Sequence, residues 1–222
     1  MNVDDIDQLV YYQTILLNRY PSIRIIKPQV ERIMANTPLH RQNLIESAIA
    51  LFRTQGFAGT GLSEILKKSG APKGSLYHYF PNGKEELAAE ALKIAGKVVE
   101  KTLLELAKKH KQPEKLIKTY CQMLGKWMEQ SHFRSGCPIT TTVLETVPQS
   151  ETMSKISLAI FDSWKEVIAN ALVESGMNKT EAKKKADFTI TAIGGALIQS
   201  RVQKSALPLD NAAIQLKLIL ST

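Results

Sequence analysis

Within Leu62 to Phe80, LSEILKKSGAPKGSLYHYF, stand Lys73, Ser75, Tyr77, His78 and Tyr79. An ammonium, a hydroxyl, two phenols and an imidazole with almost no carboxylate beside them donate hydrogen bonds and neutralise negative charge. They are not a set for breaking bonds. No nucleophile–base pair, carboxylate pair or phosphate-binding loop stands out elsewhere in the chain, so no catalytic residues are assigned. The chemistry of the set suits the phosphates and base edges of a DNA major groove.

Two short helices joined by a tight turn must hold these groups. Leu62, Ile65 and Leu66 recur at helical spacing. Gly70 follows the last turn, where a left-handed residue is wanted and glycine meets no Cβ clash. Pro72 then opens the next helix near its first position, where a missing N–H costs nothing. That helix turns Leu76 and Phe80 inward and leaves Lys73, Ser75, Tyr77, His78 and Tyr79 to the outer face and its edges. A longer helix, Pro38 to Gln55, braces the pair with an apolar stripe of Leu44, Ile45, Ala48, Leu51 and Phe52. Thr37 is placed to cap it, with Pro38 at the first helical position. Gly56 ends it, and Gly59-Thr60-Gly61 leads on. Thr60 is placed to bond a backbone N–H or a phosphate, and Ser63 joins it among the DNA-facing candidates.

At these residues a resemblance emerges. Gln55 to Leu87, QGFAGTGLSEILKKSGAPKGSLYHYFPNGKEEL, is similar to the DNA-binding domain of the TetR family of transcriptional regulators. The residues that carry it are Gly56-Phe57, Thr60, Leu62, Ile65, Gly70-Ala71, Gly74, Leu76-Tyr77, Tyr79-Phe80 and Lys84-Glu85-Leu87. One extra residue lies between Phe80 and Lys84, in Pro81-Asn82-Gly83. That variant, with Ser135-Gly136-Cys137-Pro138, resembles the LmrA/YxaF-type branch. The specific match covers roughly fifty residues; beyond them the resemblance rests on helix layout and the Gly-Cys-Pro element.

Charge distribution agrees with a basic head. The 222-residue chain has a net charge of +8 and a pI near 9.4. Residues 37–84 hold six Lys or Arg against two Glu, residues 1–36 are neutral, and residues 85–222 spread 19 basic against 15 acidic residues over a far longer stretch. The excess is densest where phosphates would be met. A content of 44% hydrophobic and 23% charged residues is ordinary for a soluble globular protein and leaves room for a good core. Only Cys121 and Cys137 occur, which argues against a disulfide scaffold and suits the reducing cytosol. No apolar run approaches membrane-spanning length. No signal-peptide pattern opens the chain. His40, His78, His110 and His132 show no paired metal-ligand spacing, and no motif asks for a cofactor.

The rest reads as helices. Lys84 to about Lys109 begins with Glu85 and Glu86 and ends with Lys108 and Lys109, the arrangement a helix dipole favours. Pro113 starts another, to about Gln130. A short helix spans Thr140 to Val147. Ser150 caps a helix to about Ser175, before Gly176. Thr180 to Lys204 and a final helix opened by Pro208 and Asp210 complete the chain. With no strand pattern of length, the fold class is all-α. The division expected is an extension over 1–36, a helix-turn-helix domain over 37–83 and a helical effector-binding and dimerisation domain over 84–222. Asp4 to Asn18 reads as an amphipathic helix outside the family pattern. Met34 stands where family members begin, so it is read as the natural start; the rival reading is a true arm touching DNA or the partner subunit.

The resemblance implies more. Tyr77, Tyr79 and Lys84 match the family's phosphate contacts, and Gly74 lies in the same motif; Lys73, Ser75 and His78 are left for base edges. The family keeps an effector cavity among the body helices, which gives Met123, Trp127, Cys137, Thr141, Phe161, Trp164 and Phe188 a ligand-lining role for a lipophilic or aromatic small molecule. At helical spacing such residues are otherwise plain core, and Cys137 otherwise a small residue beside a turn. The last two long helices form a homodimer interface in the family, to which Ile193, Gly194, Leu197, Ile214 and Leu218 are assigned. A symmetric dimer reads a palindromic operator in double-stranded DNA. The implied function is a cytoplasmic repressor, often of an efflux or resistance gene, released by its effector; activation is also known in the family. The rivals are a DNA-binding protein with no effector and a helical enzyme.

Overall fold

The computed structural model describes residues 33–34 and 37–221. The expected Asp4–Asn18 helix, the 1–36 extension apart from Ile33 and Met34, and the reading of where the natural chain starts lie outside the described residues. Among the described residues nine helices form and no strand. They are α1 (Leu39–Gln55), α2 (Leu62–Ser69), α3 (Lys73–Tyr79), α4 (Lys84–Lys109), α5 (Pro113–Gln130), α6 (Pro138–Thr146), α7 (Glu151–Glu174), α8 (Lys179–Gln203) and α9 (Leu207–Leu220). The class is all-α, with a helix-turn-helix head of α1–α3 followed by a helical body.

The head closes around one apolar centre. Leu44, Ile45, Ala48 and Phe52 of α1, Ile65 of α2, and Leu76 and Phe80 in and after α3 are all fully buried. Met34 is buried with them, and its carbonyl accepts the Thr37 N–H at 2.8 Å. Thr37 does not cap α1. The helix starts at Leu39, and Pro38, with extended backbone at ψ 138°, is the N-cap whose carbonyl takes the first helical bond from Gln42.

In the body, α4 lies along α7, α8 packs on α7 and α9, and α9 packs on α5. Helix starts follow local chemistry. Ser150 accepts the Met153 N–H at 3.1 Å, as expected of an N-cap. α6 begins two residues before the expected Thr140, because Pro138 occupies the first turn and extended Cys137 serves as N-cap. α8 begins at Lys179, because the Asn178 side chain accepts the Glu181 N–H at 2.9 Å. No helix among the described residues is long and apolar enough to cross a membrane.

Candidate nucleic-acid interface

The turn between α2 and α3 is fixed locally. Gly70 adopts the left-handed conformation (φ 65°, ψ 8°) and its N–H bonds the Leu66 carbonyl. The Ser69 hydroxyl accepts the Ala71 N–H at 3.2 Å and donates to the Leu66 carbonyl at 3.0 Å, a tie the sequence reading missed. Pro72 is the N-cap of α3, one position before its first turn. With Leu76 and Phe80 fully buried, the helix is anchored along one side.

Its other side is open. Lys73, Gly74, Tyr77 and His78 are exposed, and Ser75 and Tyr79 are half-buried. Tyr77 is 55% exposed, a large aromatic that the fold leaves outside. The His78 ring meets Tyr79 edge-on at 4.8 Å. A Cβ at Gly74 would meet nothing within 4 Å, so the fold itself does not require glycine there. On α2, Ser63, Lys67 and Lys68 are exposed.

One expected member of the set is engaged elsewhere. Thr60 is fully buried and donates its hydroxyl to the Gly56 carbonyl at 2.7 Å, so it closes the α1–α2 turn instead of facing a phosphate. Lys84 is half-buried, with its ammonium 4.4 Å from the Phe57 ring centre. Burial lowers the Lys84 pKa from its usual value, and the Glu145 carboxylate pulls it back. Arg41 bonds Glu90 at 2.7 Å and lies over the Phe80 ring, tying α1 to α4.

Each body candidate has its own contacts within the chain. Trp164 donates its indole N–H to the Gly96 carbonyl at 2.9 Å, and Phe161 meets it edge-on at 5.5 Å. Trp127 lies under the Arg53 guanidinium at 4.4 Å. Thr141 donates to the Phe52 carbonyl at 2.9 Å, which places it at the junction of head and body. Met123 and Cys137 are half-buried. Phe188 is 51% exposed on the outer face of α8, so it lines no interior cavity. Burial, then the Asp210 charge, pushes the Cys121 thiol up to about 12.

The last two helices expose apolar surface. Ile214 and Leu218 of α9 are 58% and 70% exposed. Ile193, in contrast, is buried within its own subunit, because it sits on the face of α8 turned toward the core. Gly194 and Leu197 are half-buried at the edge between these faces. Exposed Ile198, Val202 and Leu207, missed in the sequence, join Phe188 as outward apolar groups on α8 and at the start of α9. Between α8 and α9 runs a groove of about 410 Å³ with a floor of small residues, including Ala192, Gly195, Ala196 and Ala212.

Comparison with known proteins bears on this geometry. Residues 44–91 match the family model for bacterial regulatory proteins of the tetR family, and residues 113–215 match the model for the C-terminal domain of LmrA/YxaF-like transcriptional regulators. The chain is 35% identical over 179 residues to the HTH-type transcriptional regulator YxaF of Bacillus subtilis, covering 81% of this chain and 94% of that protein. It is 30% identical to B. subtilis LmrA, an HTH-type transcriptional regulator, covering 76% of this chain and 90% of that one. The crystal structure of reduced Escherichia coli NemR, an HTH-type transcriptional repressor, superposes with a TM-score of 0.70 at 28% identity, covering 82% of this chain and 98% of that chain.

Proposed function

Because the chain belongs to the TetR family of DNA-binding transcriptional regulators, we propose that it is a ligand-responsive repressor acting as a homodimer in the cytoplasm. Two subunits pair through α8 and α9, and each presents α3 to one face of a duplex. Lys73, Ser75 and His78 meet base edges, while Tyr77, Tyr79 and Lys84 set the register on phosphates, with Ser63 at the margin. Lys73 suits guanine, which offers two acceptors in the major groove. Gly74, bare of neighbours, lets the DNA backbone approach closely.

The observation that carries this reading is the division of α3. Leu76 and Phe80 are completely buried while Lys73, Tyr77 and His78 stand in the open, so the helix is rigidly anchored and its donors are presented. An effector site in the body rests on a different observation. The hydroxyls of Thr142, Ser157 and Ser200 are buried and, among the described residues, have no hydrogen-bond partner. Each such group costs roughly 1–3 kcal/mol, which a polar atom on a lipophilic ligand would offset. A coupling of about 1–3 kcal/mol between ligand and DNA changes occupancy roughly 5- to 150-fold. The relative NemR is a repressor. The family resemblance makes an efflux or resistance gene the expected target and a lipophilic molecule its inducer.

The test is a gel shift on the DNA upstream of the chain's own gene, with wild type and the Lys73→Ala/Tyr77→Ala double variant. Salt-sensitive binding by wild type that the variant loses supports the reading. Equal binding of wild type to that DNA and to random sequence removes the autoregulatory role.

A further inference from the structure

The last turn of α1 leaves carbonyls without intrahelical partners, as every helix end does. Here the body supplies donors to three carbonyls of that turn. The Thr141 hydroxyl, which also lies within reach of the Cys137 and Pro138 carbonyls of its own segment, donates to the Phe52 carbonyl at 2.9 Å, beside the Gly56 N–H that this carbonyl also accepts. The Gly136 N–H donates to the Arg53 carbonyl at 2.8 Å. An Arg201 guanidinium nitrogen donates to the Thr54 carbonyl at 3.2 Å, placing a positive charge where the helix dipole is negative. The Arg53 side chain answers with a bond from Nε to the Gly136 carbonyl at 3.2 Å.

One helical turn along α6, Glu145 takes the other side of the same α1–α2 turn. Its carboxylate accepts the Ala58 N–H. Gly56, at φ 77° and ψ 179°, lies bare against that carboxylate, and a Cβ there would run into it. The charge of Glu145 also reaches Lys84, which rests on Phe57. Thr141 and Glu145 are four residues apart and share a face of α6. The helix therefore offers a donor to the carbonyl end of α1 and an acceptor to the N–H of the following loop. The segment feeding α6 is strained: His132 and Phe133 both have left-handed backbone, at φ 49° and 58°, without being glycine.

We propose that Glu145, Thr141 and Arg201 are positioning residues that clamp the DNA-binding head onto the body through α6 and the end of α8. The link is separate from α4, which enters the head by covalent continuity and by Arg41–Glu90. Opening the clamp frees the head to swing about the start of α4 with its own core intact. The consequence for DNA binding rests on the reading of α1–α3 as the DNA-binding head, whereas the clamp itself is a property of the single chain.

Pulsed electron paramagnetic resonance tests it. Genetically encoded ketone residues at Lys68 in the head and Lys155 in the body carry the spin labels. Labelled chains are diluted into unlabelled ones so that each distance lies within one chain. Wild type should give one narrow distance. Glu145→Ala with Thr141→Val should broaden it or add a second population, with helix content and melting temperature close to wild type. Glu145→Gln, which keeps an acceptor for Ala58, should stay narrow. Arg201→Met, a change at an exposed side chain, provides an independent opening should the double variant lose helix content. A double variant that keeps its helices and gives the wild-type distribution overturns the proposal, and so does a wild-type distribution when Arg201→Met is the variant read. A narrow wild type, a broad variant and no DNA binding by either would keep the clamp and remove the regulator reading.

Discussion

Alanine at Gly195 has opposite consequences in one chain and in two. Within a single chain the new Cβ meets nothing within 4 Å. Gly195 lies inside α8, where glycine costs about 1 kcal/mol against alanine, so the folded subunit gains about that much. The gain is common to free and paired subunits and cancels in the association constant. What does not cancel is contact across the α8–α9 groove, whose floor Gly195 helps to form. If a second copy's helices seat there, the Cβ overpacks the seam at about 1–3 kcal/mol, and two-fold symmetry repeats the contact. A penalty of about 2 kcal/mol or more over both copies raises the dimer dissociation constant roughly 30-fold or beyond. Sedimentation velocity over a concentration series reads that constant, and thermal melting at high dilution reads the subunit. The expected outcome is weaker association together with a more stable dilute subunit. Alanine that leaves association unchanged, or tightens it, would refute the reasoning and place the interface elsewhere.

Three further outcomes follow from the geometry. Trp164→Phe keeps the edge-on contact with Phe161 but removes the indole bond to the Gly96 carbonyl, so unfolding in denaturant should show a loss of about 1 kcal/mol or somewhat more. Burial alone would raise the Glu90 carboxyl, but bonds from Lys93 and Arg41 outweigh it, and its pKa falls below the ordinary 4.5. Its stabilisation is therefore complete above that value and lost as pH falls through the folded one. Melting curves of wild type and Glu90→Gln should differ near neutrality, by about 1 kcal/mol, and converge in acid. Ellman's reagent at mildly alkaline pH should find half-buried Cys137 in the native chain, with Cys121, buried and raised to about 12, responding only after denaturation.

The elements that carry their own punctuation were legible in the sequence. α4 and α5 run over the expected residues because charged ends, Pro113 and the break after Gln130 mark them. The recognition turn was legible for the same reason: Gly70, Pro72, Leu76 and Phe80 each answer a local requirement. Faces were harder. α8 has one apolar side for its own core and another left exposed, so a linear pattern cannot say which is which. Ile193 therefore went to the interface and Phe188 to the interior, whereas Ile193 is buried within the chain and Phe188 is half exposed. Thr60 was misplaced because a hydroxyl in a glycine-rich turn serves a carbonyl as readily as a phosphate. The polar junction of Arg53, Gly136, Glu145 and Arg201 had no signal at all. Its partners lie more than eighty residues apart in sequence, and no spacing rule connects them.

Selection from random-sequence duplexes by the purified full-length protein tests the central claim most directly, because it presupposes no operator. The account predicts enrichment of one two-fold symmetric sequence, with half-sites about one helical turn apart or a little offset, bound by a dimer with affinity that falls steeply with salt. Lys73→Ala should relax the preference at a guanine within each half-site. Selection that enriches nothing, or an asymmetric site bound by a single subunit, would contradict it.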